Sequence, residues 1–200
     1  MAPRVVTTRV PLNLPNLLTW LRILAIPLLV ALYYLPDAWL GMRDKNLIAC
    51  VLFSGAAITD WLDGYLARRL NQQSAFGAFL DPVADKLIVA AALILLVELA
   101  RVPGFIAVII IGREITISAL REWMAQLGQA KSVAVNFLGK IKTVAQLVAI
   151  PMLLYHDPIG RFDPAWWGTV LIYLAAALTV VSMVYYLKLA GPHAFGAGRP

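Results

Sequence analysis

Four aspartates, Asp60, Asp63, Asp81 and Asp85, lie close together between two long apolar runs of the chain. Asp60 and Asp63 are spaced i, i+3 and share a helix face, which Gly64, Ala67 and Arg68 continue. Gly77, Asp81 and Asp85 follow at intervals of four and align on one helical stripe. Two such helix ends, joined by Arg69–Phe76, would face each other. Ionised carboxylates cannot stay unpaired beside lipid. All-oxygen acidic sets suit hard divalent cations such as Mg²⁺ or Mn²⁺. A pair of metals in one carboxylate nest is a recurrent device of phosphoryl transfer, offsetting charge on the attacking and leaving oxygens. Gly64, Ala67 and Gly77 leave room for a bulky ligand near the backbone, and Arg68 would meet a phosphate. The competing structural reading pairs each acid with a nearby arginine or with Lys86 at a wetted helix end. Four acids on two stripes with glycines in phase weigh against it, because intramembrane ionisable clusters are functional by default.

The elements that must position these residues are helices in a bilayer. The 200 residues are 61% hydrophobic and 14% charged, with mean hydropathy +0.78. Soluble domains are about 45–50% apolar and about 25% charged. Six apolar segments, near 16–35, 46–68, 79–100, 103–126, 133–155 and 166–189, are separated by stretches rich in turn formers or charge. The expected fold is an all-α integral membrane protein with six transmembrane helices. Residues 1–15 form an interfacial amphipathic lead-in, 16–190 the membrane domain and 191–200 a flexible tail. Arg4 and Arg9 would bind headgroups while Val10, Leu12 and Leu14 dip into the interface. Arg22 and Pro27 interrupt the first apolar segment and no small-residue cleavage pattern follows it, so it reads as a retained helix. The sixth segment carries no distinguishing chemistry and is expected only to pack.

Lys and Arg distribution sets the orientation. Arg4, Arg9, Arg68, Arg69, Arg121, Lys131, Lys188 and Arg199 fall on one side, against Arg43, Lys45, Arg101 and Arg161 on the other. The richer side is the cytoplasmic one, which places both termini and the acids there. Trp39, Trp166 and Trp167 near segment ends are expected interfacial anchors. The net charge of +6 reads as loops facing anionic lipid rather than as a nucleic-acid surface. Cys50 is the single cysteine, which excludes an internal disulfide.

Written out, the stretch is D-x2-D-G-x2-A-R-x8-G-x3-D-x3-D, from Asp60 to Asp85. It resembles the signature of the CDP-alcohol phosphatidyltransferases at every fixed position. The resemblance implies six helices, a homodimer and a site at the cytoplasmic side of a bacterial inner membrane. It implies two divalent cations, Mg²⁺ or Mn²⁺, on Asp60, Asp63, Asp81 and, in part, Asp85, with Asp85 also the general base on the acceptor hydroxyl. By the same likeness Asp60, Gly64, Ala67, Arg68 and Gly77 cradle the CDP moiety of CDP-diacylglycerol. In the first segment Asn16, Thr19 and Arg22 approach the nucleotide or the pocket.

The acceptor is set elsewhere. Arg113, Lys140 and Lys142 lie inside apolar segments, which is costly without an anionic partner. With Thr116 and Ser118 they could form a phosphate pocket, to which Arg121 is added. The alternative is internal pairing, Arg113 with Glu114 or with an aspartate. These stretches resemble the branch of the family that uses glycerol 3-phosphate, a dianion suited to a basic pocket. Phosphatidylglycerol, inositol phosphate or serine stay open as acceptors. A divalent-cation transporter is the rival of another class. Such transporters usually set their acids at the midplane on broken helices of related halves, and no repeat is visible in this chain.

Overall fold

The structure, a computed structural model, describes residues 14–70, 75–126 and 137–195, with side chains over 17–59, 80–126 and 141–188. The expected interfacial segment therefore lies almost wholly outside the described residues. Six helices follow in order: α1 (Leu14–Tyr34), α2 (Met42–Leu70), α3 (Ala75–Glu98), α4 (Gly104–Gln126), α5 (Phe137–Tyr155) and α6 (Pro164–Phe195). They match the six apolar segments one for one. The described residues contain no strand beyond an isolated bridge, Ile159 to Phe162, in the α5–α6 connection.

Local chemistry fixes the helix ends. α3 stops in a Schellman motif: the Arg101 N–H donates to the Leu96 carbonyl (2.8 Å) and the Ala100 N–H to Val97 (3.0 Å). Ala100 carries the left-handed turn at φ 56°. α6 starts with Asp163 as its N-cap, accepting the Trp166 N–H at 3.2 Å, with Pro164 in the first helical position.

The helices alternate in direction, so the ends of α1, α3 and α5 and the starts of α2, α4 and α6 share one side. α5 and α6 make the most extensive pairing, followed by α1 with α2. Gly168 permits the first: a Cβ there would stand 2.8 Å from Leu153 Cγ and 3.2 Å from the Ala149 carbonyl. Small residues at such crossings let backbones approach. Leu29, Phe53, Leu93, Leu96, Ile110 and Ile150 form the buried centre. Every helix also turns large apolar residues outward, among them Leu28, Val51, Ile94, Val108, Val144 and Val181. Two helices hold windows long and apolar enough to cross a membrane, Leu17–Tyr34 and Pro164–Lys188. α5 is apolar over the shorter described stretch Ile141–Tyr155.

α3 continues through Pro82, which lies within the Gly77–Asp81–Asp85 stripe. Two boundaries differ from expectation. α2 continues to Leu70, so Asp60 stands about 15 Å of helical rise before its end rather than at a helix tip. α6 stays helical to Phe195, so the expected flexible tail from 191 begins inside a helix.

Candidate functional site

α1 and α3 run side by side in the same direction, and their polar residues meet in register. The Thr19 hydroxyl donates to Asp81 Oδ1 at 2.5 Å, and Arg22 Nη1 donates to Asp85 Oδ1 at 2.6 Å. Thr19 and Arg22 are spaced i, i+3, Asp81 and Asp85 i, i+4, so each pair lies one helical turn from the other. Arg22 is fully buried while the Asp85 side chain is 41% exposed, so the carboxylate reaches outward from a fixed guanidinium.

Asp85 opens onto a cavity of about 270 Å³ bounded by all of the first five helices. α1 gives it Arg22, α2 Phe53 and Ala56, α3 Pro82, Asp85 and Lys86, α4 Glu114, and α5 Thr143, Gln146 and Leu147. Glu114 on its wall is the centre of an ionic cluster. Lys142 Nζ donates to Glu114 Oε1, and Arg113 Nη1 donates to the same oxygen at 3.2 Å. Arg113 Nη2 reaches the Ser182 hydroxyl at 3.4 Å. The Arg113 and Arg121 guanidiniums lie 5.9 and 5.5 Å from the centroid of the buried Tyr186 ring, as cation–π contacts. Several donors are buried with no hydrogen-bond partner among the described residues: Arg113 Nε, Arg121 Nε, Gln146 Nε2 and the Thr179 hydroxyl. Native interiors leave few such groups unsatisfied, so these donors could still take up acceptor oxygens.

The structure thus places Asp85 and Glu114 on one cavity wall, with the Thr19–Asp81 pair one turn from Asp85 and with Arg113 and Lys142 bonded to Glu114; Arg121 lies two turns along α4 from Arg113. Asn16, Asp60, Asp63, Gly64, Ala67, Arg68, Gly77 and Lys140 have side chains outside the described residues. Their helices are described, and α2, which carries Asp60 to Arg68, packs on α3. Thr116 and Ser118 engage their own helix. Their hydroxyls donate back to the Gly112 and Glu114 carbonyls of α4, at 2.8 and 2.7 Å, the usual engagement of a helical hydroxyl. The internal pairing of Arg113 with Glu114 is present, but Lys142 shares that carboxylate.

Sequence reasoning missed the central place of Glu114 and the contribution of α6. That helix does more than pack: Thr179, Ser182 and Tyr186, spaced i, i+3, i+7, turn a polar face to α4. The spacing was the available signal. Asp81 and Asp85 offer hard oxygen donors one turn apart beside α2, and that donor chemistry fits a divalent cation. Among the described residues no three metal-ligating side chains converge.

Asp85 and Glu114 line one cavity, each held by a buried cation, within a helical bundle that turns apolar residues outward, an arrangement of the class suited to binding phosphate esters. The comparison with known proteins makes that class specific. The family model of the CDP-alcohol phosphatidyltransferases matches residues 12–181, and the chain belongs to that family. It is 49% identical over 183 residues to the CDP-diacylglycerol–glycerol-3-phosphate 3-phosphatidyltransferase of Salmonella choleraesuis, covering 89% of this chain and 94% of the relative. The protein of the same name from Escherichia coli K12 is 48% identical over the same coverage.

Proposed function

We propose that this chain transfers the phosphatidyl group of CDP-diacylglycerol to glycerol 3-phosphate, giving phosphatidylglycerophosphate and CMP. The observation that carries the reading is the shared cavity: Asp85 of the acidic motif and Glu114, the carboxylate that holds Lys142 and Arg113, both line it. A nucleotide-lipid diphosphate and an anionic alcohol need those two chemistries side by side. The names of the relatives agree with it.

In the reaction the acceptor hydroxyl oxygen bonds to the lipid-side phosphorus, and the phosphorus–oxygen bond to CMP breaks with its electron pair leaving on CMP. Asp85 takes the hydroxyl proton, and Arg22 fixes the carboxylate that does so. Thr19 orients Asp81 in the same way. Asp60, Asp63, Asp81 and Asp85 are the residues that would hold two divalent cations, which when bound offset the diphosphate charge. Gly64, Ala67 and Gly77 leave the CDP moiety room, with Asn16 and Arg68 beside it. Arg113, Lys142, Lys140 and Arg121 receive the acceptor's phosphate, and the donors without partners supply its remaining hydrogen bonds.

All six helices cross the bilayer in this reading, supported by their outward apolar residues. The Lys and Arg distribution supports a cytoplasmic site in the inner membrane. A homodimer rests on the family likeness.

A panel assay tests the substrate. Purified protein with CDP-diacylglycerol and Mg²⁺ or Mn²⁺ is offered glycerol 3-phosphate, phosphatidylglycerol, inositol phosphate and serine in turn. Release of CMP with glycerol 3-phosphate is the expected result. Turnover with another acceptor alone would replace the substrate and keep the reaction class.

A further inference from the structure

Lys142 and Arg113 are 1% and 5% exposed, and both donate to the single oxygen Oε1 of Glu114, whose side chain is 28% exposed at the cavity wall. Two desolvated cations therefore share one carboxylate, and the cluster keeps an excess of buried positive charge. Arg113 Nε and Gln146 Nε2 add buried donors without partners among the described residues, the second on the cavity wall itself. Any anion that enters to satisfy them must also take Lys142 and Arg113, the two groups that Glu114 already holds. A phosphate dianion and the Glu114 carboxylate would then repel each other at short range in a partly desolvated site, where like charges interact far more strongly than in water.

We propose that Glu114 is an internal stand-in for the acceptor's phosphate: it holds Lys142 and Arg113 in the empty site and releases them when that phosphate arrives. Lys86, on the same cavity wall, is the cation toward which the displaced carboxylate turns. The exchange gives Glu114 two effects. The cations stay paired and in place between turnovers, and an alcohol without its own anion leaves the carboxylate where it is. Glu114 thereby selects acceptors by charge, while touching neither the nucleotide nor the reacting phosphorus. This inference rests on the glycerol 3-phosphate reading given above.

Glu114→Gln keeps the side chain's shape and removes the competing charge. Titration of the detergent-solubilised full chain with inorganic phosphate, and separately with glycerol 3-phosphate, should give binding about tenfold tighter than wild type, the scale of one partly screened like-charge contact. The KM for glycerol 3-phosphate should fall in parallel while the KM for CDP-diacylglycerol stays fixed. A carboxylate that merely props Lys142 in position predicts the opposite sign, and weaker or unchanged phosphate binding by the variant overturns the proposal. Because Glu114→Gln leaves a buried ammonium with a poorer partner and can fail to fold, wild-type protein supplies a second measurement. Labelling of Glu114 by a hydrophobic carbodiimide, mapped by mass spectrometry, should rise when inorganic phosphate is added; unchanged or reduced labelling again overturns it. Wild-type turnover with glycerol 3-phosphate alongside weaker binding by Glu114→Gln sinks only the role of Glu114. Absence of wild-type turnover with glycerol 3-phosphate sinks the acceptor reading itself.

Discussion

Both ends of the bundle bury charge, and they treat it in opposite ways. At the end away from the cavity, Arg101 donates to the Leu153 and Leu154 carbonyls at 3.1 and 2.8 Å and to Asn46 Oδ1 at 2.7 Å. Tyr33 donates to the same Asn46 oxygen, and Asn46 Nδ2 donates to Asp157. The buried Lys45 ammonium closes on the Leu35 carbonyl and Asp37. Burial first, and then the charge of Arg101, holds His156 below the ordinary imidazole range, so the cluster gains no further cation near neutral pH. Arg101 in effect caps α5, whose last carbonyls have no helical donors. At the cavity end, among the described residues, several buried donors have no partner and a single carboxylate serves two cations. A saturated network fixes helix ends, whereas an unsaturated one stores binding capacity for a ligand. Burial of charge alone does not tell the two apart; the count of unmet donors does.

The largest expected effect lies at the unsaturated end. Asp85→Asn keeps the size of the side chain but removes the proton acceptor, and kcat should fall by on the order of 10²–10⁴. Bound CDP-diacylglycerol, measured by equilibrium binding, should remain. Retained turnover would remove Asp85 as the base and break the contrast at its functional pole.

A pair of substitutions probes the contrast through stability instead. Arg101→Met strands two α5 carbonyls and Asn46, and should lower stability by about 1–3 kcal/mol with kcat unchanged. Thr179→Val removes a buried hydroxyl that has no hydrogen-bond partner among the described residues, so its effect on stability should be near zero or favourable by up to about 1 kcal/mol. Thermal unfolding in detergent reads both. Equal losses in the two variants would mean that the ends do not differ in saturation.

Much of this architecture is legible in the chain. Apolar runs bounded by turn formers give the six helices in order, and of the four spaced aspartates Asp85 lines the cavity with Asp81 one turn away, while the Asp60 and Asp63 side chains lie outside the described residues. What is hidden is long-range. Thr19 meets Asp81 and Arg22 meets Asp85 across separations of 62 and 63 residues, and Arg101 finds α5 across 52 and 53. Proline costs a helix one backbone bond, yet α3 continues through Pro82, where α1 packs against it. Thr179 and Ser182 passed as ordinary packing residues because a lone hydroxyl is unremarkable in an apolar helix. Only the approach of α4 makes Ser182 a partner of Arg113.

The smallest expected effect tests how far the saturated end is optimised for stability. Ala100 holds the left-handed position of the α3 Schellman turn at φ 56°, where an L-residue with a Cβ costs about 1–2 kcal/mol. Glycine would relieve that cost while losing about 0.5–1 kcal/mol to its greater freedom in the unfolded chain. Ala100→Gly should therefore stabilise by roughly 0.5–1 kcal/mol and leave kcat and both KM values unchanged, because Arg101 keeps its backbone bond to Leu96 and its grip on α5. Thermal unfolding beside a steady-state assay measures this. If glycine instead destabilises the chain, a fixed turn at position 100 is needed to aim the Arg101 guanidinium. The saturated network would then extend into the backbone that presents it, and the strain at Ala100 would be part of how α5 is capped.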